Sequence, residues 1–202
     1  MTPNLKGVLE GSSGLHGKYI PDFNDLEVMV RLLRESGYKI VLTQGVYDMF
    51  HVGHGRYLQE ASQFGDILIV GVDSDELTRQ MKGPTRPFDG FNERIELLSM
   101  LSFVKIITRR DVDQHMYDLI RLVKPDVLVM SKTTSSFTDK DKAILDEFCG
   151  RIEHLDPQAP PESISTSAKM QRLQREGAES LAKDLAVAVK EVVDRHLGLE
   201  QK

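Results

Sequence analysis

The chain has 202 residues, a formal net charge of −5 and a single cysteine, with 40% hydrophobic and 28% charged residues. This size suits one domain with a sizeable core, and an acidic balance without a long basic run argues against nucleic acid as a main partner. One cysteine excludes an internal disulfide, no apolar run approaches the roughly 20 residues of a membrane span, and no secretory signal pattern is present. The sequence therefore predicts a cytoplasmic protein with no membrane partner.

The N-terminal part contains two kinds of segment. Residues 1–21 are rich in glycine and serine and are predicted to form a loose arm. A capping segment at Pro21–Asp25 and the apolar positions after it predict a helix that ends at Glu35. The unbroken apolar pattern of Lys39–Thr43 is typical of a strand that is buried on both faces, as in a parallel sheet.

From that strand onward, apolar runs alternate with helical patterns. The further strands are predicted at Ile67–Asp73, Phe103–Thr108, Val127–Met130 and Arg151–Leu155. The helices between them are predicted at Gly55–Ser62, Glu76–Gln80, Phe91–Leu101, Val112–Lys124 and Asp139–Cys149. This alternation predicts an α/β domain over residues 22–167, a Rossmann-like open parallel sheet with helices on both faces. Residues 168–202 have apolar positions at helical spacing and are predicted to form an amphipathic tail that packs on the domain or on a second subunit.

The segment between the first strand and its helix is the strongest functional signal. It reads Gly45-Val46-Tyr47-Asp48-Met49-Phe50-His51-Val52-Gly53-His54. A helix N-terminus presents unpaired N–H groups and a partial positive charge that suit a phosphate, and glycines allow a ligand to approach the backbone. His51 and His54 would share one face and could donate hydrogen bonds to phosphoryl oxygens in a transition state. The alternatives are an ordinary polar helix cap and a zinc site, which lacks an obvious third ligand.

This segment resembles the signature of the cytidylyltransferase-like nucleotidyltransferase family, Gly-x-(Phe/Tyr)-Asp-x-x-His-x-Gly-His, and every defined position matches. The resemblance implies transfer of CMP or AMP from CTP or ATP to a phosphorylated polyol, alcohol or sugar, with release of pyrophosphate. His51 and His54 would be catalytic, while residues 45–48 and Gly53 would bind the nucleotide. Mg²⁺ is expected with the triphosphate, without a protein carboxylate cage, and a homodimer is expected.

Residues 81–90 contain two prolines, two glycines and the cations Lys82 and Arg86, which indicates either a lid beside a phosphate site or a solvated loop. Residues 82–87 match a Lys-Gly-x-x-Arg-Pro element of heptose-phosphate adenylyltransferases. By the same resemblance Lys82 and Arg94 are catalytic, with Arg94 reaching the nucleotide phosphates, and Arg86 clamps a phosphate. Apart from the resemblance, Arg94 is expected in a surface ion pair with a neighbouring glutamate.

A second element, Ser165-Thr166-Ser167, precedes the tail helix and resembles the family's Ile-Ser-Thr-Ser signature. Its hydroxyls would bind the β- and γ-phosphates, although the pattern is also that of a plain serine N-cap. The arginine that precedes this signature in the family is absent, so Lys169, Lys132 or Arg86 is predicted to supply that charge. Asp73, at the end of the second strand, is assigned to the same substrate or phosphate clamp.

Three functions stay open at this point. The Gly-Asp element that follows the fourth strand in the family is missing, which leaves a nucleotide-binding regulatory protein as the alternative to the enzyme. Residues 130–132, Met-Ser-Lys, also resemble a motif of class I aminoacyl-tRNA synthetases, and a synthetase-like adenylating protein is the third hypothesis. Features of heptose-phosphate adenylyltransferases and of glycerol-3-phosphate cytidylyltransferases occur together, so neither the triphosphate nor the acceptor is decided.

Overall fold

The computed structural model describes residues 5–10, 14–132, 139–156 and 166–197. The chain forms two compact units, residues 1–159 and 160–202. In the first unit, a five-stranded parallel sheet has the strand order β3-β2-β1-β4-β5. The strands are β1 (Ile40–Gly45), β2 (Ile67–Asp73), β3 (Ile106–Arg110), β4 (Val127–Ser131) and β5 (Arg151–Leu155). The predicted Rossmann-like sheet is therefore confirmed.

Helices cover both faces of this sheet. In chain order they are α1 (Leu5–Glu10), α2 (Leu15–Lys18), α3 (Phe23–Glu35), α4 (Val52–Ser62), α5 (Asp75–Lys82), α6 (Phe91–Ser99), α7 (Asp118–Val123) and α8 (Asp139–Phe148). One core cluster joins α3, α7 and α8 to one face, and a second joins α4 and α6 to the other. All seven residues of β2 are buried, which accounts for its continuous apolar sequence.

The N-terminal arm differs from the prediction of a loose segment. Residues 5–10 and 15–18 are helical, and Val8 is only 2% exposed because it packs on the core cluster below α3. Lys18 donates a hydrogen bond from Nζ to the Leu101 carbonyl at 2.7 Å, and Tyr19 pairs with Ile107 beside β3. In the described residues 5–10 and 14–21, buried apolar side chains such as Val8 and Ile20 pack this segment against the core.

Two boundaries near β3 also differ. The strand begins at Ile106 rather than Phe103, and α7 begins at Asp118 rather than Val112. The intervening backbone is held in turns, because the side chain of Gln114 accepts from the Asp111 amide and that of Asp118 accepts from the His115 amide. The shift of β3 places Arg110 opposite Asp73 of β2.

The second unit contains α9 (Thr166–Leu197), a helix of 32 residues. Several of its apolar side chains are more than half exposed, namely Leu173, Leu181, Leu185, Val187 and Val189. Packing of this helix on the domain or on a second subunit stays a prediction. Within the described ranges, no helix combines the length and apolar character of a membrane span.

All five carboxyl ends meet at one edge of the parallel sheet. At that edge β1 is followed by the signature segment, β2 by α5, β3 by the turns before α7, and β4 by Lys132. β1 lies in the middle, with β2 and β3 on one side and β4 and β5 on the other. Ligands of open α/β sheets bind beside such a switch in strand order.

Candidate active site

The two signature histidines lie together at the start of α4. His51 is the N-cap residue, and its Nδ1 accepts a hydrogen bond from the Gly53 amide at 3.1 Å. An acceptor at Nδ1 means that the neutral ring carries its proton on Nε2. The ring of His54 stacks on that of His51, with centroids 4.0 Å apart and an interplanar angle of 19°. The two imidazoles therefore share one face, as the sequence predicts.

The loop before α4 has an unusual backbone. Tyr47 and Met49 have φ values of 56° and 48°, a left-handed conformation that costs about 1–3 kcal/mol per non-glycine residue. The Tyr47 ring lies over Gly45, where an added Cβ would be 3.4 Å from the ring, and it contacts His54 edge-on at 5.7 Å between centroids. Gly45 thus makes room for Tyr47, in addition to the close ligand approach that the sequence predicts.

Asp48 connects the signature loop to the predicted lid. Its side chain is 2% exposed and accepts from the Arg86 guanidinium at 2.6 Å (Nη2) and 2.8 Å (Nε). It also accepts from the backbone amides of Phe88 and Asp89, each at 2.9 Å. These contacts give Asp48 a role in orienting the loop, while its predicted contact with the nucleotide stays a prediction. Arg86 is engaged in this ion pair rather than pointing at a phosphate, so its role as a clamp stays a prediction.

Arg94 is the most enclosed cation of the site, at 1% exposure. Its guanidinium donates to the carbonyls of Asp89 (3.0 Å) and Val46 (2.6 Å) and forms an ion pair with Asp75 (2.6 Å). It is thus neither in a surface ion pair with a glutamate nor directed at solvent. Its three bonds join the signature loop, residues 83–90 and the start of α5, which is a positioning role that the sequence does not reveal.

Lys82 is the last residue of α5 and has a solvent-exposed side chain. The surrounding protein disfavours its charged form and lowers its pKa, the nearby Arg86 lowers it further, and Asp73 and Asp48 oppose the shift. Lys82 directly precedes residues 83–90, which Asp48 and Arg94 hold in place. Lys82 is therefore well placed to contact an anionic ligand.

Two more predicted residues lie at the same edge in different settings. Asp73 is 2% exposed and bonds Arg110 at 2.8 Å, and burial raises its pKa although Arg110 opposes this effect. Lys132 follows β4 and pairs with Asp156 at 2.8 Å, but these side chains are 53% and 71% exposed. Such an exposed ion pair holds a side chain only weakly.

The second signature cannot be placed relative to these residues. Ser165 lies outside the described ranges, and Thr166 and Ser167 are described only as the first backbone positions of α9. Their predicted contact with the triphosphate stays a prediction.

Tyr57 fixes α4 against the middle of the sheet and is missed by the sequence motifs. Its hydroxyl donates to the Val129 carbonyl of β4 at 3.1 Å and lies 2.8 Å from the Thr43 hydroxyl of β1. Burial raises the pKa of Tyr57 to about 12, so the hydroxyl stays protonated. A small polar residue near the end of an apolar strand, such as Thr43, is the only sequence signal of this anchor.

Asp89 was also missed. Its carboxylate accepts from the Met49 amide at 2.7 Å, while its carbonyl accepts from Arg94. It therefore helps to hold the left-handed turn of the signature loop. The Pro-Phe-Asp-Gly string predicts a turn at this position but not its partner.

Known proteins resemble this chain over the same region. A family model described as Cytidylyltransferase-like matches residues 42–172. The protein named "Bifunctional protein HldE" of Sulfurimonas denitrificans is 39% identical over 132 residues, which is 63% of this chain and 28% of that protein. HldE of Helicobacter acinonychis is 37% identical over 155 residues, covering 77% of this chain and 32% of the relative. The chain thus spans about a third or less of the length of these relatives.

A solved structure is also similar to this chain. The lipopolysaccharide core biosynthesis protein from Thermoplasma volcanium superimposes with a TM-score of 0.51 and 26% sequence identity. The match covers 60% of this chain and 97% of that protein. The shared region is therefore nearly the whole of the smaller protein.

Proposed function

Since this chain belongs to the cytidylyltransferase-like family of nucleotidyltransferases, we propose that it transfers AMP from ATP to a sugar phosphate and releases pyrophosphate. The preference for ATP and a sugar phosphate is supported by the Lys-Gly-x-x-Arg-Pro element of residues 82–87 and by the relatives named HldE. CTP and glycerol 3-phosphate are the competing substrates that the experiment below includes.

The stacked pair of His51 and His54 at the N-terminus of α4 is the observation that carries this proposal. Helix N–H groups, the helix dipole and an imidazole proton on Nε2 of His51 together favour negative charge at this spot. In phosphoryl transfer, protein groups act mainly by positioning the reactants and stabilising charge. A hydrogen-bond donor pair beside the backbone is suited to that task.

The reaction balances without a covalent intermediate. A phosphate oxygen of the acceptor forms a bond to the α-phosphorus, the bond from that phosphorus to the bridging oxygen breaks, and pyrophosphate leaves with the electron pair. His51 and His54 would stabilise charge on the α- and β-phosphates, and Lys82 would bind a phosphate from the lid side. Arg94 and Asp48 would hold the loops in place.

Magnesium is expected with the triphosphate, but the carboxylates of the site do not form a cage for it. Asp48, Asp73 and Asp75 each form an ion pair with an arginine. A hard cation here would take most of its oxygen ligands from the phosphates and water. No step above depends on a protein-bound metal.

Pyrophosphate release tests the proposal. The purified chain is assayed with ATP or CTP and with heptose 1-phosphate, mannose 1-phosphate or glycerol 3-phosphate. His54→Ala should reduce turnover at least ~100-fold, the scale of losing one transition-state donor. The control is His16→Ala, an exposed histidine in α2, which should keep full turnover.

Three results would contradict the proposal. Unchanged turnover in His54→Ala would remove the histidine from the mechanism. Triphosphate binding without turnover on any acceptor would favour the regulatory protein, and amino-acid-dependent pyrophosphate exchange would favour the synthetase-like protein.

A further inference from the structure

A polar layer lies under α7 at the carboxyl edge of the sheet, on the face opposite α4. Gln44 of β1 is in register with Gly71 of β2, which is in register with Thr108 of β3. Residues in register on parallel strands point to the same face, and the apolar neighbours two positions earlier belong to the core cluster of α3 and α7. Asp73 and Arg110 lie on the same face, each two residues further along its strand, after Gly71 and Thr108.

Two atoms of this layer have no protein partner. The Oε1 atom of Gln44 and the Oγ1 atom of Thr108 are both buried, and neither has a hydrogen bond to any described residue. Thr108 as a whole is 0% exposed. Buried polar atoms are nearly always satisfied in proteins, so either a buried water or a hydroxyl group of a ligand is expected beside these two atoms.

Gly71 gives the layer its shape. An added Cβ at Gly71 would lie 2.5 Å from Leu119 Cδ2, 3.2 Å from Arg110 Cδ and 3.4 Å from Gln44 Cγ. These three side chains therefore fill the space over the glycine, and they combine an apolar surface, a cation and an amide. Asp73 adds a buried carboxylate that bonds Arg110 at 2.8 Å.

This set of groups matches a polyhydroxylated carbon skeleton. A hydroxyl can donate to the Gln44 oxygen and accept from the Thr108 hydroxyl, because it is both donor and acceptor. The carbon face of a sugar suits Leu119. A purely apolar ligand would leave both buried atoms unpaired.

We propose that Gln44 and Thr108 bind hydroxyl groups of the acceptor sugar and select for them, an inference that rests on the transferase activity proposed above. Gln44 immediately precedes Gly45, so the sugar would lie next to the signature loop and its phosphate would face the triphosphate. Access requires movement of the side chains of Gln44 and Arg110, which are the partly exposed members of the layer; that of Arg110 is 13% exposed.

Thr108→Val tests the proposal, because valine keeps the shape and removes the hydroxyl. The KM for mannose 1-phosphate or heptose 1-phosphate should rise at least ~10-fold with the KM for ATP unchanged. The preference for mannose 1-phosphate over 2-deoxyglucose 1-phosphate, which lacks one hydroxyl, should shrink. The matched control is Thr78→Val, a buried threonine whose hydroxyl already donates to the Ser74 carbonyl at 2.8 Å.

A second readout separates a binding role from a structural one. Without ligand, Thr108→Val should keep or raise the melting temperature, whereas Thr78→Val should lower it because it breaks an existing bond. Normal turnover with an unchanged sugar preference in Thr108→Val overturns the inference and leaves the transferase intact. If no acceptor turns over, calorimetric titration with the same sugar phosphates decides: binding that Thr108→Val weakens supports the site, and absence of binding to the unmodified chain overturns it.

Discussion

The Asp48–Arg86 pair offers a direct test of how residues 83–90 are held. In Asp48→Asn the amide oxygen can keep the two backbone bonds to Phe88 and Asp89, but the NH₂ group then faces the Arg86 guanidinium. Two charge-assisted bonds of 2.6 and 2.8 Å are lost between side chains that are 2% and 18% exposed. Breaking a buried pair costs about 3–5 kcal/mol, and partial exposure of the arginine favours the lower end.

Two measurements check this. Urea unfolding should show a loss of about 3 kcal/mol, and the Phe88 and Asp89 amides should exchange hydrogen faster at native conditions. The control is Asp111→Asn, whose partner Arg109 is 38% exposed and which should cost at most about 1 kcal/mol. Unchanged stability to urea together with unchanged exchange at Phe88 and Asp89 in Asp48→Asn would refute the view that the Asp48–Arg86 pair holds this loop.

Two further changes address the cations of the site. Arg94→Lys keeps the charge but cannot bond three acceptors at once, so urea unfolding should show a loss of about 3 kcal/mol in the free energy of unfolding. Full stability with lost turnover would instead indicate that Arg94 contacts the nucleotide phosphates. Because the pKa of Lys82 is lowered, its charged form is lost at a lower pH than usual, and kcat/KM should fall on the alkaline side. Lys82→Arg stays charged and should remove that alkaline fall, whereas identical pH profiles would contradict a phosphate contact by Lys82.

The fold follows from local patterns to a large extent. Strands such as β2 are buried on both faces, and their continuous apolar runs are unambiguous. Ile67–Asp73 and Arg151–Leu155 have the predicted bounds. The N-terminal arm was mispredicted because burial of single residues such as Val8 depends on tertiary packing, which glycine content does not report.

The site could be predicted where it depends on short spacing and not where it depends on distant partners. His51 and His54 are three residues apart, and their common face follows from helix geometry. Arg86 and Arg94 bond groups 38 and 48 residues away, Asp48 and the Val46 carbonyl. No spacing rule connects such residues, so the same motif predicts the cations but not whether they contact phosphate or protein.

The end of β1 shows how one strand could serve two substrates. Successive residues of a strand point to opposite faces. Thr43 bonds Tyr57 of the signature helix, while Gln44 contacts the layer over Gly71 on the other face. If the triphosphate lies at the histidines and the sugar at Gln44, as proposed, the two substrates approach from opposite sides of the backbone at Gly45. In-line displacement at the α-phosphorus requires the attacking and leaving oxygens on opposite sides, so this division of faces fits the reaction.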